Sequence, residues 1–284
     1  MLADLTTSPI GSIGTRFAPP RATGTGVLVL AGSRGAPDDD RARVFAHTGA
    51  IAETIRWFGG EGQQPGPWLV PLETFAERIR ALRVDCDRIV LIGTSFGAEA
   101  ALATAAHLGG VDAVVALAPS DVVWAGVRPD GSQTSHWTVD GDALPFVPFV
   151  DGWVPKQDPP AFTDLYARSR REHPAACAAA RIPVERIPEV VLITGGDDEV
   201  WPSEHHARLI FRRREEHGVV TGWIHGSDAG HRVVFPGESP PAVGMRMRRG
   251  GTPLADRALG ERAWPAVLSV LHREESPDDG SPVG

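Results

Sequence analysis

The chain has 284 residues, of which 42% are hydrophobic, and a formal net charge of −8 at pH 7. This length and composition are enough to bury one large core, and the acidic balance argues against general nucleic-acid binding. The two cysteines form neither a metal-binding spacing nor a disulfide framework, which is typical of a reducing cytoplasm. We therefore expect a soluble cytoplasmic protein without a metal site.

The two ends of the chain are rich in small and polar residues. Residues 1–23 contain many Thr, Ser, Gly and Pro, and residues 275–284 form a polar tail, so both segments are expected to be flexible. The first residues lack the basic and apolar regions of a signal peptide, and no apolar run is long enough to span a bilayer. Residues 24–274 are expected to form a single domain.

Strand-like and helix-like segments alternate in this domain, which predicts an α/β protein with a mostly parallel sheet covered by helices on both faces. In chain order, strands are predicted near residues 25–30, 50–57, 87–92, 111–117, 188–194 and 219–224. Helices are predicted at residues 39–47, 71–83, 96–108, 202–216 and 254–272.

One interval breaks the alternation. Residues 120–187 are rich in Pro, Trp and Gly, and they are predicted to form a cap-like insertion with one helix around 162–170. Such a cap would overhang the site described next and shape its pocket. The alternative is a set of surface loops with no role in ligand binding.

The most specific motif is the segment 93–97, which has the spacing G-x-S-x-G and directly follows the apolar run 88–92. Glycines two residues on either side of Ser95 allow a sharp turn from strand to helix, because a Cβ there would collide with neighbouring elements. The Ala-rich segment that follows is a strong helix former. The motif therefore predicts a nucleophilic serine, and the alternative is a purely structural turn.

A nucleophilic serine needs a base, and the base needs an orienting acid. The acidic turn 195–202 supplies Asp198 as the candidate acid, with Asp197 as its competitor and Glu199 less favoured. These acids could instead cap the following helix. The small-Gly-His turn that ends at His231 supplies the candidate base. Other nearby histidines are expected to be solvent-exposed, namely His205, His206 and His225.

Acyl transfer also requires hydrogen-bond donors for the oxyanion. One donor is expected to be the N–H of Phe96, the residue after the nucleophile. The other is expected from the loop 31–35, which follows the first predicted strand. Ser33 and Arg34 are both candidates, and an ordinary Gly-rich turn is the alternative.

Taken together, the motifs resemble the catalytic domain of acyl-CoA thioester hydrolases and bile-acid-CoA:amino-acid N-acyltransferases. The matching segments lie between residues 24 and 272 and are 93–101, 116–120, 122–124, 182–187, 195–203, 228–231, 250–253 and 263–265. The resemblance implies the α/β-hydrolase fold, with nucleophile, acid and histidine in that chain order. It also implies cleavage of an acyl thioester by Ser95, Asp198 and His231 with no cofactor, coenzyme A being part of the substrate.

The resemblance also bears on the acceptor of the acyl group. Acyltransferases of this group carry a cysteine in the turn where the hydrolases carry a serine, so Ser95 favours transfer to water. Hydrolysis of plain esters or lactones, transfer to an amine or alcohol, and a non-catalytic binding role are the alternatives. The expected partner is a small-molecule acyl thioester or ester, with no nucleic acid and no membrane span; the oligomeric state is not encoded.

A basic segment follows the candidate histidine. Residues 245–251 contain three arginines, which beside an active site could bind the phosphates of coenzyme A. The alternative is a solvated loop.

Overall fold

The computed structural model describes residues 4–239 and 245–272, so the predicted flexible tail 275–284 lies outside the described residues. The strands are β1 (Thr6–Ile10), β2 (Gly14–Ala18), β3 (Thr25–Leu30), β4 (Ile51–Ile55), β5 (Val70–Pro71), β6 (Arg88–Thr94), β7 (Ala113–Leu117), β8 (Ala125–Val127), β9 (Gln133–Ser135), β10 (Trp137–Val139), β11 (Asp142–Ala143), β12 (Glu189–Gly195) and β13 (Thr221–Gly226). The helices are α1 (Asp39–Ala46), α2 (Glu73–Leu82), α3 (Phe96–Leu108), α4 (Thr163–Glu172), α5 (Pro174–Ala179), α6 (Ser203–Glu216) and α7 (Pro253–Leu271).

An eight-stranded sheet organises the described residues, in the order β1-β2-β4-β3-β6-β7-β12-β13. The six strands from β4 to β13 in this order pair in parallel. Their apolar runs are buried because helices cover both faces: one core cluster includes residues of α2, α3 and α6, and a second includes residues of α1 and α7. The α/β architecture with a mostly parallel sheet is confirmed, and each predicted strand and helix is found within two residues of its expected bounds.

The first strands correct one prediction. Residues 6–18 form an antiparallel hairpin, and β2 pairs with β4, so the expectation of a flexible segment 1–23 is wrong for these residues. Most side chains of β1 are exposed, Phe17 of β2 is fully buried, and Ile10 and Ile13 pack against the core while only partly buried. Because backbone pairing more than apolar burial holds β1, its composition carries little signal of a strand.

The predicted insertion between β7 and β12 is ordered and holds four short strands, two α-helices and one turn of 3-10 helix at Val184–Arg186. One of the α-helices, α4, corresponds to the helix expected around 162–170. An aromatic cluster anchors it: Trp124 and Tyr166 pack with Trp201, which precedes α6, and Phe96 packs against the same cluster. The insertion therefore contacts the residue that follows Ser95. None of the helices in residues 4–239 and 245–272 is long and apolar enough to cross a membrane.

Candidate active site

The three residues expected to carry catalysis lie at one edge of the sheet. Ser95 follows β6, Asp198 lies just beyond β12, and His231 lies in the loop after β13. The strands β6, β7, β12 and β13 are consecutive neighbours in the parallel sheet. Their carboxyl ends therefore meet at the same edge, which is where open α/β sheets bind ligands.

Ser95 occupies a strained turn. Its φ of 59° and ψ of −122° lie outside the regions that L-residues favour. The turn is fixed on both sides, because Ser95 N donates to Leu117 O at 2.9 Å and Ser95 O accepts from the amides of Ala98 and Glu99 at 2.9 and 3.0 Å. Strain that the surroundings hold so firmly is typical of a nucleophile elbow.

The two glycines of the motif are needed for close backbone contacts. A Cβ at Gly93 would lie 2.1 Å from Gly97 O, and a Cβ at Gly97 would lie 2.2 Å from Leu30 O. Either contact is too short for real atoms. The glycines thus let α3 begin directly against β3 and β6, as the motif predicts.

His231 is held by Asp198. The His231 Nδ1 atom lies 2.8 Å from Asp198 Oδ2 and 3.0 Å from Oδ1, and both side chains are largely buried. A carboxylate can only accept, so Nδ1 carries the proton and Nε2 is left as the basic nitrogen. Asp198 Oδ1 also accepts from the amides of Val200 and Trp201 at 2.9 and 3.3 Å, which fixes the carboxylate.

The other acids of this turn have different partners. Asp197 Oδ2 accepts from Gly251 N at 2.8 Å, and Glu199 accepts from Arg248 at 2.6 and 2.9 Å. The hydrogen bond from Arg248 lowers the pKa of Glu199. Of the three acids, Asp198 is the one that contacts the histidine.

No hydrogen bond joins Ser95 Oγ to His231 among the described residues. The Nδ1 bonds of His231 are those to Asp198, and its backbone N donates to Arg249 O at 2.8 Å. Hydrogen bonds between nucleophile and base often form fully only with substrate in place. The structure thus assembles the acid–base pair and brings the serine to the same edge without a direct bond between them.

The loop 31–35 lies against the elbow as expected. A Cβ at Gly32 would lie 3.3 Å from Ser95 Cβ and 3.9 Å from Ser95 Oγ, so Gly32 permits this close approach. Ser33 follows directly, and Gly35 N donates to Gly32 O at 2.9 Å to close the turn. On the other side, Phe96 opens α3, where first-turn amides have no acceptor inside the helix and the dipole favours negative charge. The choice between Ser33 and Arg34 stays a prediction.

Sequence reasoning missed a buried carboxylate next to the elbow. Glu99, on the first turn of α3, is fully buried, and its Oε1 accepts from Trp137 Nε1 at 2.8 Å, His136 Nδ1 at 3.0 Å and Trp124 N at 3.2 Å. The His136 ring packs on Phe96 with centroids 4.3 Å apart. The available signal was a lone charge in an otherwise apolar, Ala-rich helix, because such a charge must find buried partners.

The arginines of the basic segment are engaged within the chain. Arg246 forms an ion pair with Asp158, Arg248 pairs with Glu199, and Arg249 donates to backbone carbonyls. These contacts tie the segment to the insertion and to the acidic turn. They favour the structural interpretation over binding of phosphates.

One histidine differs from expectation. His206 is fully buried, so the prediction that it is solvent-exposed is wrong, whereas His205 is exposed and His225 is half-buried. The Nδ1 atom of His206 donates to Pro119 O at 3.2 Å, and burial lowers its pKa to about 4. Its position on the inner face of α6 explains the burial.

This fold and the order of the site residues place the chain in the α/β-hydrolase class. A sugar hydrolase from Lactococcus lactis aligns with a TM-score of 0.56 at 13% identity, over 95% of this chain and 98% of that one. A protein assigned as a dienelactone hydrolase from Klebsiella pneumoniae aligns with a TM-score of 0.54 at 14% identity, over 95% and 99%. At these identities the likeness concerns the fold alone.

Within that class, the chain belongs to the BAAT / acyl-CoA thioester hydrolase C-terminal family, whose model matches residues 70–275. Acyl-coenzyme A thioesterase 2, mitochondrial, of Mus musculus is 26% identical over 92% of this chain and 58% of that protein. Acyl-coenzyme A amino acid N-acyltransferase 2 of Mus musculus is 26% identical over 92% and 63%, and acyl-coenzyme A thioesterase 1 of Homo sapiens is 25% identical over 94% and 64%. The chain thus spans less than two thirds of the length of these relatives. The family expected from the motifs is confirmed.

Proposed function

We propose that the protein is a serine hydrolase that cleaves acyl thioesters, such as acyl-CoA, through an acyl-serine intermediate. The observation that carries the proposal is the His231–Asp198 pair, with Nδ1 2.8 Å from Oδ2, at the sheet edge that also holds the strained Ser95. Membership of a family of acyl-CoA thioester hydrolases supports the thioester as the bond cleaved.

In the first half-reaction, His231 Nε2 takes the proton of Ser95 Oγ while the oxygen attacks the thioester carbonyl. Asp198 keeps the imidazole in the required tautomer and stabilises the imidazolium that forms. The oxyanion is stabilised by the N–H of Phe96 at the start of α3, together with an N–H from Ser33 or Arg34. His231 then returns the proton to the leaving sulfur, and the thiol departs.

In the second half-reaction, His231 removes a proton from a water molecule, and the resulting hydroxide attacks the acyl-serine carbonyl. The tetrahedral intermediate collapses, the proton passes to Ser95 Oγ, and the carboxylic acid is released. The protein's own residues supply each proton transfer in this scheme, because one imidazole serves as base and acid in turn.

A second candidate is transfer of the acyl group to an amine. The observation in its favour is the likeness to an acyl-coenzyme A amino acid N-acyltransferase at 26% identity. Both reactions share the first half-reaction and differ in which nucleophile reaches the acyl-serine. Water and amine therefore have to be compared directly.

The test is turnover of a panel of acyl-CoA thioesters and p-nitrophenyl esters, with and without amino acids as acceptors, by the wild type and Ser95→Ala. We expect release of coenzyme A that Ser95→Ala abolishes. An amide product would assign the protein to the acyltransferases. Cleavage of esters with untouched thioesters would refute the thioester proposal and leave an esterase.

A fluorophosphonate, which labels activated serines, provides the control if none of the thioesters and esters is turned over. Labelling of the wild type at Ser95, absent in Ser95→Ala, would show an activated nucleophile with an untested substrate. Failure to label the folded wild type would refute the serine mechanism and favour a binding role.

A further inference from the structure

A buried arginine connects the two sides of the site. Arg41, on α1, is almost fully buried, and its guanidinium binds Glu238 through Nε at 2.7 Å and Nη2 at 3.1 Å. The same Nη2 donates to Val233 O at 2.8 Å, and Nη1 donates to Thr94 Oγ1. One planar group therefore bonds to two separate parts of the chain, Thr94 on one side and the segment 233–238 on the other.

Two of these contacts are next to the triad in sequence. Thr94 directly precedes the nucleophile, and Val233 lies two residues after His231. Two hydrogen bonds hold Glu238 in a turn beside the guanidinium. Its Oε2 accepts from Phe235 N at 2.9 Å, and its own N donates to Phe235 O at 3.1 Å. The segment after the histidine is thus folded onto the residue that precedes the serine.

We propose that Arg41 is a positioning residue that sets the distance between the elbow and the His231 loop. This inference rests on the proposed function, because it assumes that Ser95 and His231 exchange a proton. The two side chains share no hydrogen bond, whereas His231 is bonded firmly to Asp198. The registration of the serine against the acid–base pair therefore depends on contacts such as those of Arg41.

The chemistry of the guanidinium suits this role. Its donors point in fixed directions in one plane, whereas a lysine offers a single flexible charge. A buried ion pair contributes little net stability over an apolar replacement, so stability alone does not explain it. A need for fixed geometry between the reacting groups explains the buried ion pair, because a displacement of about 1 Å can slow a reaction about 10²-fold.

The chain offers a matched control. Arg78, on α2, binds the fully buried Glu53 of β4 through two bonds of 2.9 Å, and neither residue contacts the triad. Arg41→Met and Arg78→Met each remove one arginine from a buried carboxylate, although Glu53 keeps a 3.6 Å contact with Arg16. Both variants should therefore lose stability, and only the first should disturb the site.

The experiment measures the rate at which a fluorophosphonate labels Ser95, together with kcat and KM for a p-nitrophenyl ester. For Arg41→Met we expect labelling and kcat to fall about 10²-fold with little change in KM, and for Arg78→Met a change within about twofold of the wild type. Arg41→Lys should stay folded and recover little of the kcat, because lysine lacks the planar set of fixed donors that the guanidinium has. Equal labelling of both methionine variants, or full recovery in Arg41→Lys, would overturn the inference.

The failure of the proposed function has a different signature. It would appear in the wild type, as absence of labelling and of Ser95-dependent turnover. Amide hydrogen exchange then tests the positioning role independently of activity. Faster exchange at residues 231–238 in Arg41→Met, with unchanged exchange there in Arg78→Met, would support the connection that Arg41 makes between the elbow and the His231 loop. Unchanged exchange in both variants would overturn it.

Discussion

Substitutions of Glu99 test how its buried carboxylate holds the insertion on α3. The side chain uses its two oxygens unequally: Oε1 accepts three hydrogen bonds, from Trp124, Trp137 and His136. Oε2 is buried and has no partner within residues 4–239 and 245–272. Glu99→Gln can keep an acceptor at the position of Oε1, whereas Glu99→Leu removes it and leaves three buried donors unsatisfied.

The expected losses follow from counting unsatisfied groups. A buried donor left without its acceptor costs about 1–3 kcal/mol. Glu99→Leu leaves three of them and removes the unpartnered Oε2, a net increase of two unsatisfied groups, so the free energy of unfolding should fall by at least about 2 kcal/mol. Glu99→Gln replaces the unpartnered Oε2 by an amide that also has no partner, so the number of unsatisfied groups does not change and the loss should stay below the cost of one lost acceptor, about 1–3 kcal/mol. The leucine variant should therefore lose clearly more stability than the glutamine variant.

Urea unfolding followed by circular dichroism measures both losses at unchanged m-value. Glu204→Gln serves as the control, because Glu204 forms an exposed i,i+4 pair with Arg208 and should change stability by less than about 0.5 kcal/mol. Equal losses in the two Glu99 variants would refute the unequal use of the oxygens.

Three further predictions concern the site and its surroundings. Burial lowers the pKa of His206 to about 4 from its ordinary value of 6.5, so on acidification the unfolded chain takes up this proton before the folded chain does. Stability should be complete above pH 6.5 and decrease toward pH 4, by on the order of 3 kcal/mol. Urea titrations at several pH values measure this slope, and His206→Phe should flatten it. Asp198→Asn should lower kcat by about 10³ to 10⁴-fold, whereas Asp197→Asn should keep more than about a tenth of it; the reverse order in steady-state turnover would exchange their roles. Gly97→Ala should lower the melting temperature by more than about 5 °C, because its Cβ would lie 2.2 Å from a backbone oxygen, and a melting curve like that of the wild type would contradict this.

The sequence predicts the main sheet and its helices well because buried parallel strands carry continuous apolar runs. The strand β3 is buried along its whole length, and α3 is a run of strong helix formers. The hairpin of β1 and β2 was missed for the opposite reason. The mostly exposed and polar side chains of β1 resemble those of a loop, and the strand that pairs with β2, β4, lies more than thirty residues further along the chain.

The residues of the candidate site likewise fall into those that the sequence predicts and those that it does not. Ser95, Asp198 and His231 sit in local motifs, so their positions at strand ends follow from the sequence. Arg41 and Glu99 act through contacts distant in sequence, Arg41 with Glu238 and Glu99 with the insertion, and no local pattern encodes such partners. The cytoplasmic location also stays a prediction, since one of the similar proteins is named as mitochondrial.

The hairpin of β1 and β2 also affects whether this edge of the sheet can pair with a strand of another molecule. Unpaired edge strands are templates for aggregation, and here the edge beyond β4 is formed by β1, five residues long and mostly exposed. Pro9, near the end of β1, has no N–H to offer to a further strand. On this side, the sheet therefore presents a short, polar and proline-interrupted border, which disfavours strand addition between copies at high concentration.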